Sequence, residues 1–466
     1  MMRKTVASSP ISWPAAVLFT AVVILAAGCS PRVRPVLTFS GETMGTVYTV
    51  KVVEPPESFD PVSVEREIEQ VLNEINVLMS TYQSDSELSR FNRSDSKQWF
   101  TISPQTAEVI DEAVRIGQLT DGAFDVTIGP LVDLWNFGPE KAAEDAVPTD
   151  EEIDRAKDRA GLDKIEVRLA PPAVRKKRAD LQVDLSGIAK GFAVDRLAER
   201  LDAAGAENYM VEVGGEVRAR GHNRHGKPWQ IAVESPVADT RTVRRVVPLE
   251  NIAMATSGDY RNYFEKGGVR YCHIIDPRTG KPVSHRLASV TVLAPECAQA
   301  DALATALMVL GPEAGYDLAL REGLSCLFII KESAGFVEKT TPGFDDLLQY
   351  NKGCPSGEYY GSLYSGRRHF RPRLPQHVDR HVVGRTLPDV FLQGRQTHHG
   401  PELRRRLCRP GRRRQPCPAR TTAQFRQHQR PDRSPQDVGN VSGAVRRDHR
   451  SRLYDAIQNP AFASAA

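Results

Sequence analysis

Between Leu37 and Phe344 the chain alternates short strand-like runs with longer stretches of helical period, and glycine or proline stands at most of the joints. Leu37–Val53 predicts two strand segments broken at Gly41-Glu42-Thr43-Met44-Gly45-Thr46, with Val47, Tyr48 and Val50 as strand formers. In Val62–Met79 the apolar positions Ile68, Val71, Leu72, Ile75 and Leu78 form one helical stripe. Tyr82 to Asn92 is polar and reads as a loop. Ser103-Pro104 supplies a cap and a first-turn proline for a helix running to about Leu119, and Thr149 caps another after an acidic loop. Ile165–Leu169 predicts a strand, and the basic run Arg175-Lys176-Lys177-Arg178 reads as a solvated hairpin turn. Leu181–Leu185 alternates like a strand, and Ala193–Ala204 and Cys297–Leu310 read as helices. Strand candidates at Tyr209–Val213, Glu216–Ala219, Ile231–Glu234, Ile252–Thr256 and Tyr271–Ile275 complete a mixed pattern, α+β or α/β, whose strand order stays open.

Charge divides the chain. The net +4 averages a body, residues 1–352, with 40 Lys or Arg against 50 Asp or Glu, and a tail, residues 353–466, with 22 Arg, no Lys and 8 Asp or Glu. The mildly acidic body gives no reason to expect a nucleic-acid partner. The tail shows neither a fold motif nor the aromatic interleaving of a nucleic-acid binder. A disordered basic extension is one reading of it; the abrupt loss of lysine favours an out-of-frame translation. Cys354, Cys408 and Cys417 are assigned no role.

The N-terminus reads as an export signal over residues 1–28, with basic Met1–Lys4 and apolar Ala15–Ala27, which is short for a transmembrane helix. Leu25-Ala26-Ala27-Gly28-Cys29 resembles the lipobox of bacterial lipoproteins, departing from it at Ala26, where leucine is usual. Cleavage before Cys29, lipidation of its sulfur and a short linker over residues 29–36 are therefore expected, with the lipid bilayer as one partner. Cys272, Cys297 and Cys326 are odd in number, lack metal-ligand spacing and read as buried inert thiols.

Candidate chemistry concentrates in residues 181–310. Asp184-Leu185-Ser186-Gly187-Ile188-Ala189-Lys190-Gly191 joins a strand-like run to a helix, where amides can receive phosphate and Lys190 can neutralise it. The spacing is neither a P-loop nor a dinucleotide fingerprint, so a tight structural joint is the plainer local reading. His273 precedes Ile274-Ile275-Asp276-Pro277; a base and a structurally hydrogen-bonded histidine are both open, and Asp276 can cap the turn or orient His273. Asp301 and Thr305 lie four apart on one helical face. Together they offer oxygen ligands suited to Mg²⁺, or simply bond to each other.

Taken in order, Met44-Gly45-Thr46, Gly122-Ala123-Phe124-Asp125, Asp184–Gly191, Gly214-Gly215-Glu216, Ser257-Gly258-Asp259, His273–Gly280 and Asp301–Thr305 resemble the ApbE-like lipoproteins, the FAD:protein FMN transferases, over about residues 37–345. The resemblance implies an α+β, T-fold-related domain over residues 37–345. It implies Mg²⁺ held by Asp301, Thr305 and the Gly187 carbonyl, and FAD, as a consumed substrate, contacted by Met44, Tyr82, Ala123, Phe124, Asp125, Asp184, Lys190 and Ile274. His273 and Asp276 belong to a signature near the reacting phosphates and are the expected catalytic residues. The implied reaction moves FMN onto a Ser or Thr of an exported acceptor flavoprotein, such as a subunit of a sodium-pumping quinone reductase or a related electron-transfer complex, and releases AMP. A membrane lipoprotein with its catalytic domain on the periplasmic side fits that partner. A Mg²⁺-dependent FAD pyrophosphatase and a non-catalytic FAD-binding lipoprotein remain the alternatives.

Overall fold

A computed structural model describes residues 34–139, 146–237 and 242–353, all within one compact unit. Cys29, the leader and the arginine-rich tail lie outside the described residues. No helix among the described residues is long and apolar enough to cross a membrane.

The architecture rests on one eight-stranded sheet. Its strands are β1 (Val36–Thr43), β2 (Thr46–Val53), β3 (Tyr209–Val213), β4 (Glu216–Arg220), β5 (Ile252–Gly258), β6 (Leu287–Ala294), β7 (Ser325–Glu332) and β8 (Gly335–Thr340). They lie side by side in chain order, and every neighbouring pair is antiparallel. The sheet is thus an interrupted meander, with helices and small hairpins inserted between consecutive strands. This is the α+β alternative, because no parallel crossover joins its strands. Every residue of β6 is buried, which places that strand at the heart of the fold.

Four helices matter for the site: α1 (Pro61–Met79), α2 (Pro104–Leu119), α3 (Ala189–Ala203) and α4 (Cys297–Leu310). The α1 stripe buries Ile68, Leu72 and Ile75 as its periodicity predicts, and Ser103 caps α2 by accepting from the Thr106 amide. Helix α4 is buried on nearly all sides and packs on β5, β6 and α3. An almost uniformly apolar helix of this kind belongs inside a protein; Asp301 is its one buried carboxylate.

Several expectations are corrected. The β1–β2 hairpin pairs Thr43 with Thr46, so Gly41–Thr43 stays in the strand and only Met44-Gly45 turns. Both residues take positive φ, 49° and 68°, the conformation a two-residue hairpin needs. Tyr82–Asn92 is not wholly loop: Ser86 caps a short helix, Glu87–Arg93. Leu181–Leu185 is extended but forms no ladder, having a single bridge between Gln182 and Ile128; its helix begins at Ala189, four residues earlier than the Ala193 read from the apolar pattern.

The largest departure is Lys176. Arg175 and Lys176 belong to a strand, Pro172–Lys176, and the hairpin turns at Ala170-Pro171 instead. The Lys176 side chain is fully buried and donates to the carbonyls of Asn92, Ala179 and Leu181 at 3.0–3.1 Å. Three carbonyls and the Phe91 ring stand in for the water this ammonium gives up. The Asn92 side chain, in turn, exchanges two 2.8 Å hydrogen bonds with the backbone of Val183. A residue expected in solvent therefore pins the segment that leads into Asp184.

Candidate active site

The site forms where the N-terminus of α3 meets α4. Gly191 makes that meeting possible: a Cβ there would stand 2.3 Å from the Cys297 carbonyl oxygen and 2.7 Å from the Ala298 Cα. The two backbones touch, so no other residue fits without separating the helices. Asp195, one turn further along α3, accepts from the Cys297 and Ala298 amides at 3.0 and 2.9 Å. Glu296 at the cap position of α4 makes no side-chain cap bond, so α3 supplies the cap from outside. Arg218 on β4 ion-pairs with Asp195 and holds it there.

That joint brings Lys190 and Asp301 together. Asp301 is 3% exposed; one of its oxygens accepts from the Gly191 amide at 3.1 Å, and both lie 3.5 Å from Lys190 Nζ. Lys190 also reaches Glu216 Oε1 at 2.9 Å. Partial burial opposes protonation of Lys190, but Asp301 and Glu216 outweigh it and raise its pKa. Burial, reinforced by the nearby Asp301, pushes the Glu216 carboxyl above the ordinary carboxylate range, with Lys190 opposing.

Thr305 lies on the same face as Asp301, and its hydroxyl is 3.2 Å from Ser257 Oγ on β5. A Cβ on Gly187 would stand 3.5 Å from Thr305 Oγ1 and 3.0 Å from Phe124 Cε2, so the Gly187 backbone, Thr305 and Phe124 converge. Among the described residues no group of three or more His, Cys, Asp or Glu side chains is arranged to hold a metal ion. The expected Mg²⁺ set is of another kind: one carboxylate, one hydroxyl and one backbone carbonyl. Asp301, which is buried, and the half-buried Thr305 and Gly187 offer hard oxygen donors of that kind, suited to a small divalent cation that keeps waters or substrate oxygens in its shell.

The other residues expected to contact FAD come from several elements. Met44 sits at the hairpin turn with φ of 49°, a strained position for a side chain other than glycine. Thr46 beside it faces Gly214, where a Cβ would meet Thr46 Cγ2 at 2.9 Å and Lys190 Cδ at 3.2 Å. Ala123, Phe124 and Asp125 are buried. Asp125 accepts from the Thr127 amide and hydroxyl at 2.8 and 2.7 Å, while burial raises its pKa. The loop is tied to the next segment by the Asp184 amide, which donates to the Val126 carbonyl at 2.7 Å. Asp184 itself caps the turn by accepting from the Ser186 amide at 2.7 Å. Tyr82 is 69% exposed; desolvation of its hydroxyl, and then the charge of Asp184, raise its pKa.

His273 occupies the open side. Its Nδ1 lies 3.1 Å from the Asn262 carbonyl oxygen. A carbonyl accepts only, so Nδ1 carries a proton and the neutral ring keeps its lone pair on Nε2. The residue is exposed, yet the protein mass around the ring disfavours imidazolium and lowers its pKa, an effect Lys190 reinforces. Phe137 meets the ring edge-on at 6.4 Å between centroids, and its carbonyl accepts from the Tyr82 hydroxyl at 3.4 Å. Ile274 is buried beside His273. Asp276 does not orient His273: Arg278 grips both carboxylate oxygens at 2.9 Å, and the Arg278 amide donates to one of them. Its capping alternative is the one observed. Trp135, 2% exposed, braces the same turn by donating to the Gly280 carbonyl at 2.8 Å and stacking on Tyr271.

Sequence reading assigned no role to three residues of this centre. Glu216 and Ser257 fall inside motifs already singled out, so their positions were visible and their partners were not. Asp195 carries no sequence signal, because it acts across two helices. Cys272, Cys297 and Cys326 are buried free thiols, as expected.

Comparison with known proteins identifies the family. The ApbE family pattern matches residues 44–328. The chain is 48% identical to the FAD:protein FMN transferase of Vibrio cholerae over 328 residues, covering 70% of this chain and 97% of that one. It is 44% identical to the Haemophilus influenzae enzyme of the same name, with 72% and 97% covered. Among solved structures, the flavin transferase ApbE from V. cholerae superposes with a TM-score of 0.63 at 46% identity, covering 67% of this chain and 99% of that one. The apo flavinyl transferase ApbE of Pseudomonas stutzeri gives 0.63 at 39%, with 68% and 97% covered. A match that runs from the β1–β2 turn into β7 and takes in both site helices and the histidine turn leaves one assignment: the chain belongs to the ApbE family of FAD:protein FMN transferases.

Proposed function

We propose that this protein transfers FMN from FAD to a Ser or Thr hydroxyl of an exported flavoprotein, with Mg²⁺ at Asp301, Thr305 and the Gly187 carbonyl. Similarity over 97% of the length of two FAD:protein FMN transferases supports the reaction class. What supports the residue roles is the buried Asp301 beside Lys190, together with an exposed His273 that feels the Lys190 charge and whose Nδ1 faces the Asn262 carbonyl, leaving Nε2 to accept a proton.

Mg²⁺ bound at these oxygens would offset charge on the diphosphate of FAD. Lys190, its ammonium kept protonated by two carboxylates, adds a second positive charge beside the phosphates. Met44, Tyr82, Ala123–Asp125, Asp184 and Ile274 hold FAD. His273 Nε2 takes the proton of the acceptor hydroxyl as its oxygen attacks the FMN-side phosphorus. The bond from that phosphorus to the bridging oxygen breaks, AMP leaves with that oxygen, and FMN stays on the acceptor as a phosphoester. Asp276 shapes the turn that presents His273. The leader and Cys29 would place this domain at the periplasmic membrane surface, the localisation of its family, alongside membrane-bound acceptors.

The test incubates the protein with FAD, Mg²⁺ and a candidate acceptor. AMP and covalently bound flavin in equal amounts support transfer. Free FMN without labelled acceptor identifies a pyrophosphatase, and retention of intact FAD identifies a storage protein.

A further inference from the structure

Glu216 has no part in the reaction as derived, yet it is built into the centre with care. It is 4% exposed and opens β4 directly after the Gly214-Gly215 turn. Both glycines take positive φ, 64° and 110°, and the Gly215 amide is held by Glu212 Oε1 at 2.8 Å. Gly214 clears space for the Lys190 stem, since a Cβ there would press on Lys190 Cδ. The turn therefore seats the lysine twice, once along its chain and once at its head. Glu216 Oε1 makes the shorter contact to the ammonium, 2.9 Å against 3.5 Å for each Asp301 oxygen. Glu216 Oε2 is buried and has no hydrogen-bond partner among the described residues. A buried carboxylate oxygen left unpaired is costly.

Lys190 and a divalent cation compete for one carboxylate. If the ammonium closed on Asp301, it would neutralise the oxygens that the cation needs. We infer that Glu216 is a positioning residue that draws the Lys190 ammonium away from Asp301 and so keeps the Asp301 carboxylate available to a divalent cation. The inference rests on the metal assignment proposed above. It differs from a general charge effect, in which any negative group at this position would help the cation equally.

Mn²⁺ titrated into the protein alone and followed by electron paramagnetic resonance separates these cases without any turnover. Glu216→Asp keeps the charge but withdraws the carboxylate by one methylene, and Glu216→Gln keeps the length without the charge. Both variants are expected to weaken Mn²⁺ binding by about tenfold relative to the parent, as closely coupled pairs do. In a Lys190→Met background, with no competing ammonium, the Glu216 substitutions are expected to change Mn²⁺ affinity less than twofold. Circular dichroism confirms that each variant is folded; the aspartate variant carries the test if the glutamine variant is not. Parent-like affinity in Glu216→Asp, or an equal loss in the Lys190→Met background, would overturn the positioning role while leaving the metal site standing. Absence of Mn²⁺ binding by the parent would overturn both.

Discussion

The two sides of the active site are built by opposite means. On one side α3 and α4 touch backbone to backbone at Gly191, Asp195 caps α4 from α3, and Asp301 is buried between them. On the other side His273 stands exposed between a two-stranded hairpin, Tyr263–Cys272, and a turn braced by Trp135. In the proposed reaction the buried wall would fix charge where a phosphate and its cation must not shift. In that reaction the open wall would keep one nitrogen within reach of a hydroxyl that arrives on another protein. A site that acts on a macromolecular acceptor needs both, because positioning inside and access outside cannot come from the same surface.

This contrast orders the expected effects of substitution. Asp301→Ala is expected to cost the most, about a thousandfold or more in turnover, since several kcal/mol of charge stabilisation at the phosphates is lost; steady-state AMP release reads it. His273→Ala removes the proton acceptor and is expected to lower transfer by about a hundredfold to ten-thousandfold. In the parent the His273 pKa lies below its ordinary value, so the neutral base predominates at neutral pH. Transfer should therefore be flat through pH 7 and fall only as acid protonates the ring. That limb should vanish from the pH profile of His273→Ala; its persistence would assign it to another group.

Smaller effects test the rigidity of the buried wall. Gly191→Ala would force α3 and α4 apart and is expected to cost about 1–3 kcal/mol of stability, as overpacking does; urea denaturation measures it. The smallest effect concerns Lys176. Burial pushes its pKa down to about 8 from the ordinary lysine value, so between pH 8 and the unfolded pKa the unfolded chain binds more protons than the folded one. Its contribution to stability then rises with pH across that window. Comparing parent and Lys176→Met at pH 7, 8, 9 and 10 isolates the slope, which the variant should lack.

What the sequence revealed follows the same division. The α1 stripe, the Ser103 and Thr149 caps and the order of motifs were legible because they depend on local period and spacing. Helix α4 was legible as a helix, and Asp301 and Thr305 as a pair on one face. The buried wall was not legible as a wall. Gly191 is explained only by the Cys297 backbone, more than a hundred residues away, and Asp195 only by amides it meets across the helix joint. Lys176 was misread because a basic run normally faces water, and only the fold shows the three carbonyls that satisfy it. Asp276 kept two readings until the grip of Arg278 selected one.

The division of labour between the walls is tested most directly by the Mg²⁺-dependence of FAD binding, read by flavin fluorescence in Asp301→Ala and His273→Ala side by side. The account predicts that His273→Ala retains the parent's response to Mg²⁺ while failing to transfer FMN, and that Asp301→Ala loses the response. A retained response in Asp301→Ala, or its loss in His273→Ala, would contradict the account.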